Sequence, residues 1–310
     1  MICIVLPAYN EEKNIESVSA EIAKVVEATG LYYRICIVDD GSMDRTWDVC
    51  LSMSNKFPGR FSLYQLSRNF GKDVAILAAL SNEDADAYII MDADGQHPIK
   101  YIPAFIDIWK SGAFDIVNGV KRPQSDHRMS SRIRRFIFNT CFECLTKLKM
   151  QNSSDFKLIN KKSAEALLQC GDYHYFFRAM TQWIGFRQTD IQFDVMPRED
   201  GESKWPLYSL LLYSIRAVIL YSSAPAYMLI FMGVAAFCLS FGLSVKLFYH
   251  YIMGETPTGY TTLLAVSLLS FSTILAAIGI VGLYLQETLE QVKRRPSFII
   301  SDRKNAEQKI

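Results

Sequence analysis

Between Arg216 and Lys246, and again between Glu255 and Glu287, the chain carries no Asp, Glu, Lys or Arg. A membrane-crossing helix needs roughly 20 predominantly apolar residues, so each interval is long enough to hold one. Two such intervals joined by a short loop are hard to reconcile with a buried hairpin in a soluble domain. The loop from His250 to Tyr260 has one Glu and no Lys or Arg, while Lys293, Arg294 and Arg295 follow the second interval and Arg198, Lys204 and Arg216 precede the first. The positive-inside rule then places both chain ends in the cytoplasm and the loop outside. The expectation is spans at 224–251 and 260–285, with a cytoplasmic tail at 286–310. Residues 204–223 mix Leu, Tyr and Ile with Lys204 and Arg216. They suit an interfacial amphipathic helix and equally an extension of the first span, with Pro225 favouring a break.

A net charge of +1 over 310 residues leaves no global basic field, so nucleic acid is not an expected partner. The seven cysteines are odd in number and scattered, and form no disulfide framework. Cys141 and Cys144 read as two small packed side chains, with no second pair to complete a zinc site. The first apolar run, Ile2 to Pro7, is short for a signal peptide and lacks a basic lead, which keeps the N-terminal part in the reducing cytoplasm.

Residues 1–203 read as a single cytoplasmic domain in which short apolar runs alternate with helical patterns. Ile2–Leu6, Arg34–Val38, Phe61–Leu66, Tyr88–Met91 and Phe114–Val117 suit strands; Glu12–Ala28, Arg45–Asn55, Lys72–Leu80 and Pro98–Lys110 suit the helices between them. Such alternation predicts a mainly parallel, doubly wound sheet, whose strands present their ends at one common edge. Those ends read Pro7-Ala8-Tyr9-Asn10-Glu11, Asp39-Asp40-Gly41-Ser42, Ser67-Arg68-Asn69-Phe70-Gly71-Lys72 and Asp92-Ala93-Asp94. Helix caps and tight turns account for some of these groups, but four consecutive polar strand ends exceed what turns require. Asp39 can read a base edge, Arg68 and Lys72 can approach a phosphate, and Asp92 with Asp94 suits a hard divalent ion that also holds substrate phosphates. Neither a G-x-G-x-x-G after the first strand nor a G-x4-G-K-[ST] occurs, which excludes the usual dinucleotide and P-loop readings.

Together with Ser154-Asp155-Phe156-Lys157-Leu158, Phe177-Arg178, Trp183-Ile184-Gly185-Phe186, Arg198, Gly201-Glu202-Ser203-Lys204-Trp205, Tyr284-Leu285 and Arg295-Pro296, these motifs resemble family 2 glycosyltransferases of the GT-A fold. The resemblance extends to the polyprenyl-phosphate glycosyltransferases, a group that includes dolichol-phosphate mannose synthase and the bactoprenol glucosyltransferases with two C-terminal spans. It covers essentially the whole chain. The resemblance implies a Rossmann-like GT-A domain followed by membrane-proximal amphipathic helices and two transmembrane helices, in a bacterial inner membrane. It also implies that Pro7, Tyr9, Glu11 and Asp39 line a nucleoside pocket, with Arg68, Lys72 and Asp92 nearer ribose and diphosphate. Asp94, with Asp92, would hold Mg2+ or Mn2+. Arg198, Ser203 and Lys204 would close over the diphosphate and the acceptor phosphate, and Asp155 would act as base or as organiser of the acceptor site. The basic stretch Lys121–Arg135, with Arg132, fits the family pattern poorly; it suits either a solvated helix face or a surface that attracts the acceptor phosphate or anionic lipid headgroups.

The implied reaction is inverting transfer of a hexose from a nucleotide-diphosphate sugar, UDP-glucose first, to polyprenyl phosphate at the cytoplasmic face, by a homo-oligomer. GDP-mannose, UDP-N-acetylhexosamine and modified-pentose donors stay open, as does a non-catalytic scaffold that keeps a nucleotide-sugar pocket. A processive polysaccharide synthase fits less well, because Gln182 is followed directly by Trp183 and only two spans are present. Gly95 and His97 depart from the family's Asp-x-Asp-Leu-Gln-Asp-Pro, and Lys157 stands where an Arg is common.

Overall fold

The computed structural model describes residues 1–95, 97–122, 153–170, 176–194, 224–253, 259–293 and 295–304. Arg132, Arg198, Ser203, Lys204 and the segment 204–223 lie outside these residues. In chain order the elements are β1 (Ile2–Ala8), α1 (Ile15–Glu27), β2 (Tyr33–Asp39), α2 (Thr46–Lys56), β3 (Phe61–Leu66), α3 (Lys72–Asn82) and β4 (Ala87–Ile90). A 3-10 turn (Ile99–Tyr101) leads into α4 (Ile102–Lys110), followed by β5 (Ile116–Lys121), β6 (Ser153–Asn160), α5 (Lys161–Gln169), α6 (Phe177–Trp183) and β7 (Gln188–Phe193). Two long helices, α7 (Ala224–Ile252) and α8 (Tyr260–Val292), precede a last strand, β8 (Ile300–Lys304). These fall into two compact units, the sheet with its covering helices and residues 295–304, and the helical pair.

Eight strands form one sheet in the order β7-β5-β6-β4-β1-β2-β3-β8. β1 pairs in parallel with β2 and β4, β2 with β3, and β5 with β7; β6 is antiparallel to β4 and β5, and β8 to β3. The expected mainly parallel sheet is therefore a mixed one. Its central strands are apolar throughout because both faces are covered: every residue of β1 and β4 is buried. On one face Ile2, Ile4, Leu6, Ile35, Ile37, Leu63 and Phe156 pack with α1, α2 and α4. Helix α1 presents Ile15, Val18, Ile22 and Val26, the spacing of a single apolar stripe. The opposite face carries α3, with α5 and α6 over β6.

Strands β6, β7 and β8 were not anticipated. β6 reads Ser-Ser-Asp-Phe-Lys-Leu-Ile-Asn, a polar pattern, yet Asp155 and Lys157 are both buried. Residues 300–304, expected within a tail, complete the sheet instead. Helix α8 continues past 285 to Val292. In the helical pair many apolar side chains are exposed, among them Phe231, Phe241, Phe271, Ile278 and Leu285. Among the described residues, Thr273–Val292 is long and apolar enough to cross a membrane by length and composition, and Ala226–Ala236 is a shorter apolar stretch. Only one of the two expected spans thus meets that measure.

One polar row runs from the exposed edge strand β7 into the buried part of the sheet. Asp190, Asn118 and Lys157 are register partners on β7, β5 and β6. The Lys157 ammonium, 1% exposed, donates to Asn118 Oδ1 at 2.8 Å, and Asn118 Nδ2 donates to Asp190 Oδ1 at 3.0 Å. Burial pulls the Lys157 pKa down to about 8 from 10.5, against the attraction of Asp155. Between those two values the unfolded chain binds more protons than the folded one, so this lysine makes stability rise with pH across that window. We expect the unfolding midpoint of the full chain to carry this rise, on the order of 3 kcal/mol in total, and Lys157→Met to flatten it. Thermal unfolding followed from pH 8 to 10.5 checks this; identical slopes in parent and variant would contradict it.

Candidate active site

At the carboxyl edge of the sheet, four loops are tied to one another by short polar contacts. Asn10, at a positive φ of 57°, accepts from the Met43 amide at 2.9 Å and donates its own amide to Ser42 Oγ at 2.9 Å. The Glu11 amide donates to Thr46 Oγ1 at 2.9 Å, and the Asp40 amide to the Ala8 carbonyl at 2.8 Å. Asp40 in turn accepts from the amides of Phe70 and Gly71 at 2.7 and 2.9 Å, which fixes the loop ahead of α3. Gly41 is needed there on two counts. Its φ is +68°, and a Cβ would lie 2.5 Å from the backbone of Arg68.

Asp39 is fully buried and accepts from the Ser42 amide at 3.0 Å and from Gln65 Nε2 at 3.1 Å. Pro7 is buried beside it on the neighbouring strand, and Tyr9 is exposed at the rim. Arg68 is near enough to Asp40 to favour that carboxylate's charge, against the burial that raises its pKa. Its guanidinium sits 4.1 Å from the centre of the Phe70 ring and donates to the Asn69 carbonyl.

Lys72, the first residue of α3, is the hinge of the charged cluster. Its ammonium pairs with Asp92 and, at 2.6 Å, with Asp155 Oδ2. The β4–β6 register explains the meeting: Ile90 opposes Lys157, so two residues further on Asp92 comes opposite Asp155. Arg178, on α6, grips Asp155 through Nε and Nη2 at 2.6 and 2.7 Å, the bidentate fork that lysine cannot make. Burial alone would raise the Asp155 pKa, but Arg178 and Lys72 hold it well below the usual carboxylate range. Burial likewise opposes the charge on Lys72, yet Asp92 and Asp155 keep it above its ordinary value. Asp73, the next residue on α3, is pushed up to about 7 by burial and by Asp155. The cluster therefore keeps one carboxylate firmly ionised and a second poised near neutrality.

His97 replaces the family's acidic residue with a neutral donor–acceptor. Its Nδ1 accepts from the Asp92 amide at 2.9 Å, and its ring stacks on Phe156 with centroids 5.3 Å apart. Burial keeps the imidazole below its ordinary pKa, so it is uncharged. The turn bearing Asp92 and Asp94 is thereby anchored to β6, the strand of Asp155.

Asp94 and Asp92 also bring negative charge toward Glu11, whose pKa is raised by burial and then by Asp94, Asp92 and Asp44. A divalent ion would relieve that crowding. Among the described residues no three His, Cys, Asp or Glu groups are arranged to hold an ion by themselves. One or two carboxylates completed by substrate phosphates and water is the usual arrangement for magnesium, and Asp92 with Asp94 suits it.

Of the residues expected from sequence, Pro7, Tyr9, Glu11, Asp39, Arg68, Lys72, Asp92, Asp94 and Asp155 come to this one edge. Arg178 and Gln65 were missed as site residues. Arg178 stood within a recognised motif without a role. Gln65 had no signal beyond being a polar residue inside a strand, and its register opposite Asp39 brings its side chain onto that carboxylate.

The sequence matches the glycosyl transferase family 2 profile over residues 3–183. It is 30% identical to a glycosyltransferase of Synechocystis over 97% of this chain and 95% of that one. It is 26% identical to the SfII prophage-derived bactoprenol glucosyl transferase of Shigella flexneri, over 96% and 97% of the two chains. Glucosyl-3-phosphoglycerate synthase of Mycobacterium tuberculosis, solved with Mn2+, UDP and phosphoglyceric acid, shares the fold with a TM-score of 0.52 at 19% identity, over 71% of this chain and 76% of that one. The architecture is GT-A, and the chain is a glycosyltransferase belonging to glycosyl transferase family 2.

Proposed function

We propose that this enzyme transfers a hexose, from UDP-glucose foremost, to a polyprenyl phosphate at the cytoplasmic face of the membrane. The observation that carries the lipid acceptor is directional. β7 ends and β8 begins at the same carboxyl edge where Asp39, Asp92, Asp94 and Asp155 gather. The end of the last strand before the helical pair and the start of the strand after it therefore both lie on the ligand side of the sheet. The names of its bactoprenol glucosyl transferase relatives support the same acceptor.

Parity supports the topology. β7 and β8 belong to one sheet, so the chain between them crosses a membrane an even number of times. If Thr273–Val292 crosses, the pairing of β8 with β3 calls for a second crossing, and α7 is the reading favoured for it. The clusters of Lys and Arg flanking the pair then favour the cytoplasm for the domain.

In the reaction, a phosphate oxygen of the acceptor bonds to the anomeric carbon from the face opposite the diphosphate. The bond from that carbon to the diphosphate breaks, the nucleoside diphosphate departs, and the centre inverts. When bound at Asp94 and Asp92, a divalent ion would supply charge stabilisation to the leaving diphosphate. Asp39 and Gln65 would orient the base. Lys72 would hold the donor carboxylate Asp92 and the acceptor-side Asp155 in one frame. Asp155 organises rather than accepts a proton, because its two cations keep it a weak base and a lipid phosphate is already anionic near neutral pH. Arg198, Ser203, Lys204 and Arg132 would complete the phosphate contacts.

Purified full chain in detergent, given labelled UDP-glucose, undecaprenyl phosphate and Mg2+ or Mn2+, should yield a labelled lipid. A panel with GDP-mannose and UDP-N-acetylhexosamine identifies the donor; no lipid product from any of them would refute the acceptor. EDTA or Asp94→Asn should lower the rate at least about a hundredfold, as expected for loss of charge stabilisation at a leaving group, and undiminished rates would remove the metal assignment. Asp155→Asn should lower kcat without moving the pH dependence of transfer between pH 5 and 8. Loss of an acidic inflection in that variant would instead make Asp155 a general base.

A further inference from the structure

The strand that follows the helical pair reaches the donor pocket. β8 runs antiparallel to β3, and its register slips beside Gln65 and Leu66: Gln65 opposes Asp302 while Leu66 opposes Ile300. Ser301 is therefore an extra residue on the β8 side, a bulge, and its hydroxyl donates back to the Gln65 carbonyl at 3.1 Å. Two residues before Ser301, the Ile299 carbonyl accepts the Ser67 amide at 2.9 Å. Gln65 in β3 and Ser67 just after it both lead to the site. The Gln65 side chain donates to Asp39, and Ser67 opens the loop whose Phe70 and Gly71 amides hold Asp40 and whose end presents Lys72. Without β8, β3 is an edge strand with its outer backbone groups unpaired, and Gln65 is held by its pairing with β2 on one side only.

We propose that residues 299–304 form a strap that completes the nucleotide pocket by holding Gln65 against Asp39 and rooting the Ser67–Lys72 loop. The donor site is then finished only when the chain emerging from α8 has returned to the sheet, which ties nucleotide binding to completion of the helical pair. This rests on the reading of Asp39 as part of the nucleoside pocket.

The test compares the full chain with one stopped after Arg295, both purified in detergent, by calorimetric titration with UDP and with GDP in the presence of Mn2+. The strap predicts at least about tenfold weaker nucleotide binding in the shortened chain. A synthetic peptide of residues 296–304 should restore it by strand addition. Gln65→Leu in the full chain should weaken binding similarly, and shortening the Gln65→Leu chain should add little. Equal affinity in the full and shortened chains, or fully additive effects of the two changes, would overturn the strap. Weak binding in the shortened chain with no recovery on peptide addition would assign the loss to general unfolding and overturn it as well. Binding of neither nucleotide to the parent would overturn the nucleoside pocket itself, and the strap with it.

Discussion

A single ammonium group, that of Lys72, holds the two halves of the site together. It lies between Asp92 at the end of β4 and Asp155 near the start of β6, two strands that run in opposite directions and bring their carboxylates to one place. Two carboxylates so close, one of them buried, would repel each other, and the pair would favour taking up a proton without a cation between them. Arg178 adds a second cation from the far side. The result is an ionised Asp155 inside a largely buried network, whose cost in desolvation is offset only because nearly every charge is paired. Asp73, which has less compensation, shows the strain as a carboxyl pushed up to about 7.

The same economy of charge explains His97. An acidic residue at that position would add a third negative group beside Asp92 and Asp94. A buried neutral imidazole still accepts the Asp92 amide and, through its stack on Phe156, ties the acidic turn to β6. Its departure from the family pattern alters the means of support and keeps the turn in place.

Much of the central sheet was legible because its strands are buried on both faces and so read as unbroken apolar runs ending in polar loops. β6, β7 and β8 were not, for a common reason. Their sequences are polar, and what makes them strands is backbone pairing with partners far away in sequence, joined in β6 by the burial of Asp155 and Lys157. β8, Ile-Ser-Asp-Arg-Lys, carries almost no apolar signal. Helix α8 outruns the expected span because Glu287 and Glu290 end a hydrophobic stretch without ending a helix. For the site, residue types at strand ends were enough to gather Asp39, Asp92, Asp94 and Lys72. Sequence suggested Lys72 as a phosphate donor, whereas the structure sets it on two carboxylates. Arg178 and Gln65 act through register and helix placement, which no local pattern encodes.

Lys72 pairs with both Asp92 and Asp155, the carboxylates proposed for the donor and the acceptor side. A double-mutant cycle in sugar transfer, with Lys72→Met, Asp155→Asn and the pair, measures the coupling of Lys72 to Asp155 directly. The two single changes should each lower the rate, and the double variant should be little worse than the poorer single, a coupling of about 1–3 kcal/mol. Independent, multiplicative losses would show that the two residues act separately and would contradict the shared frame.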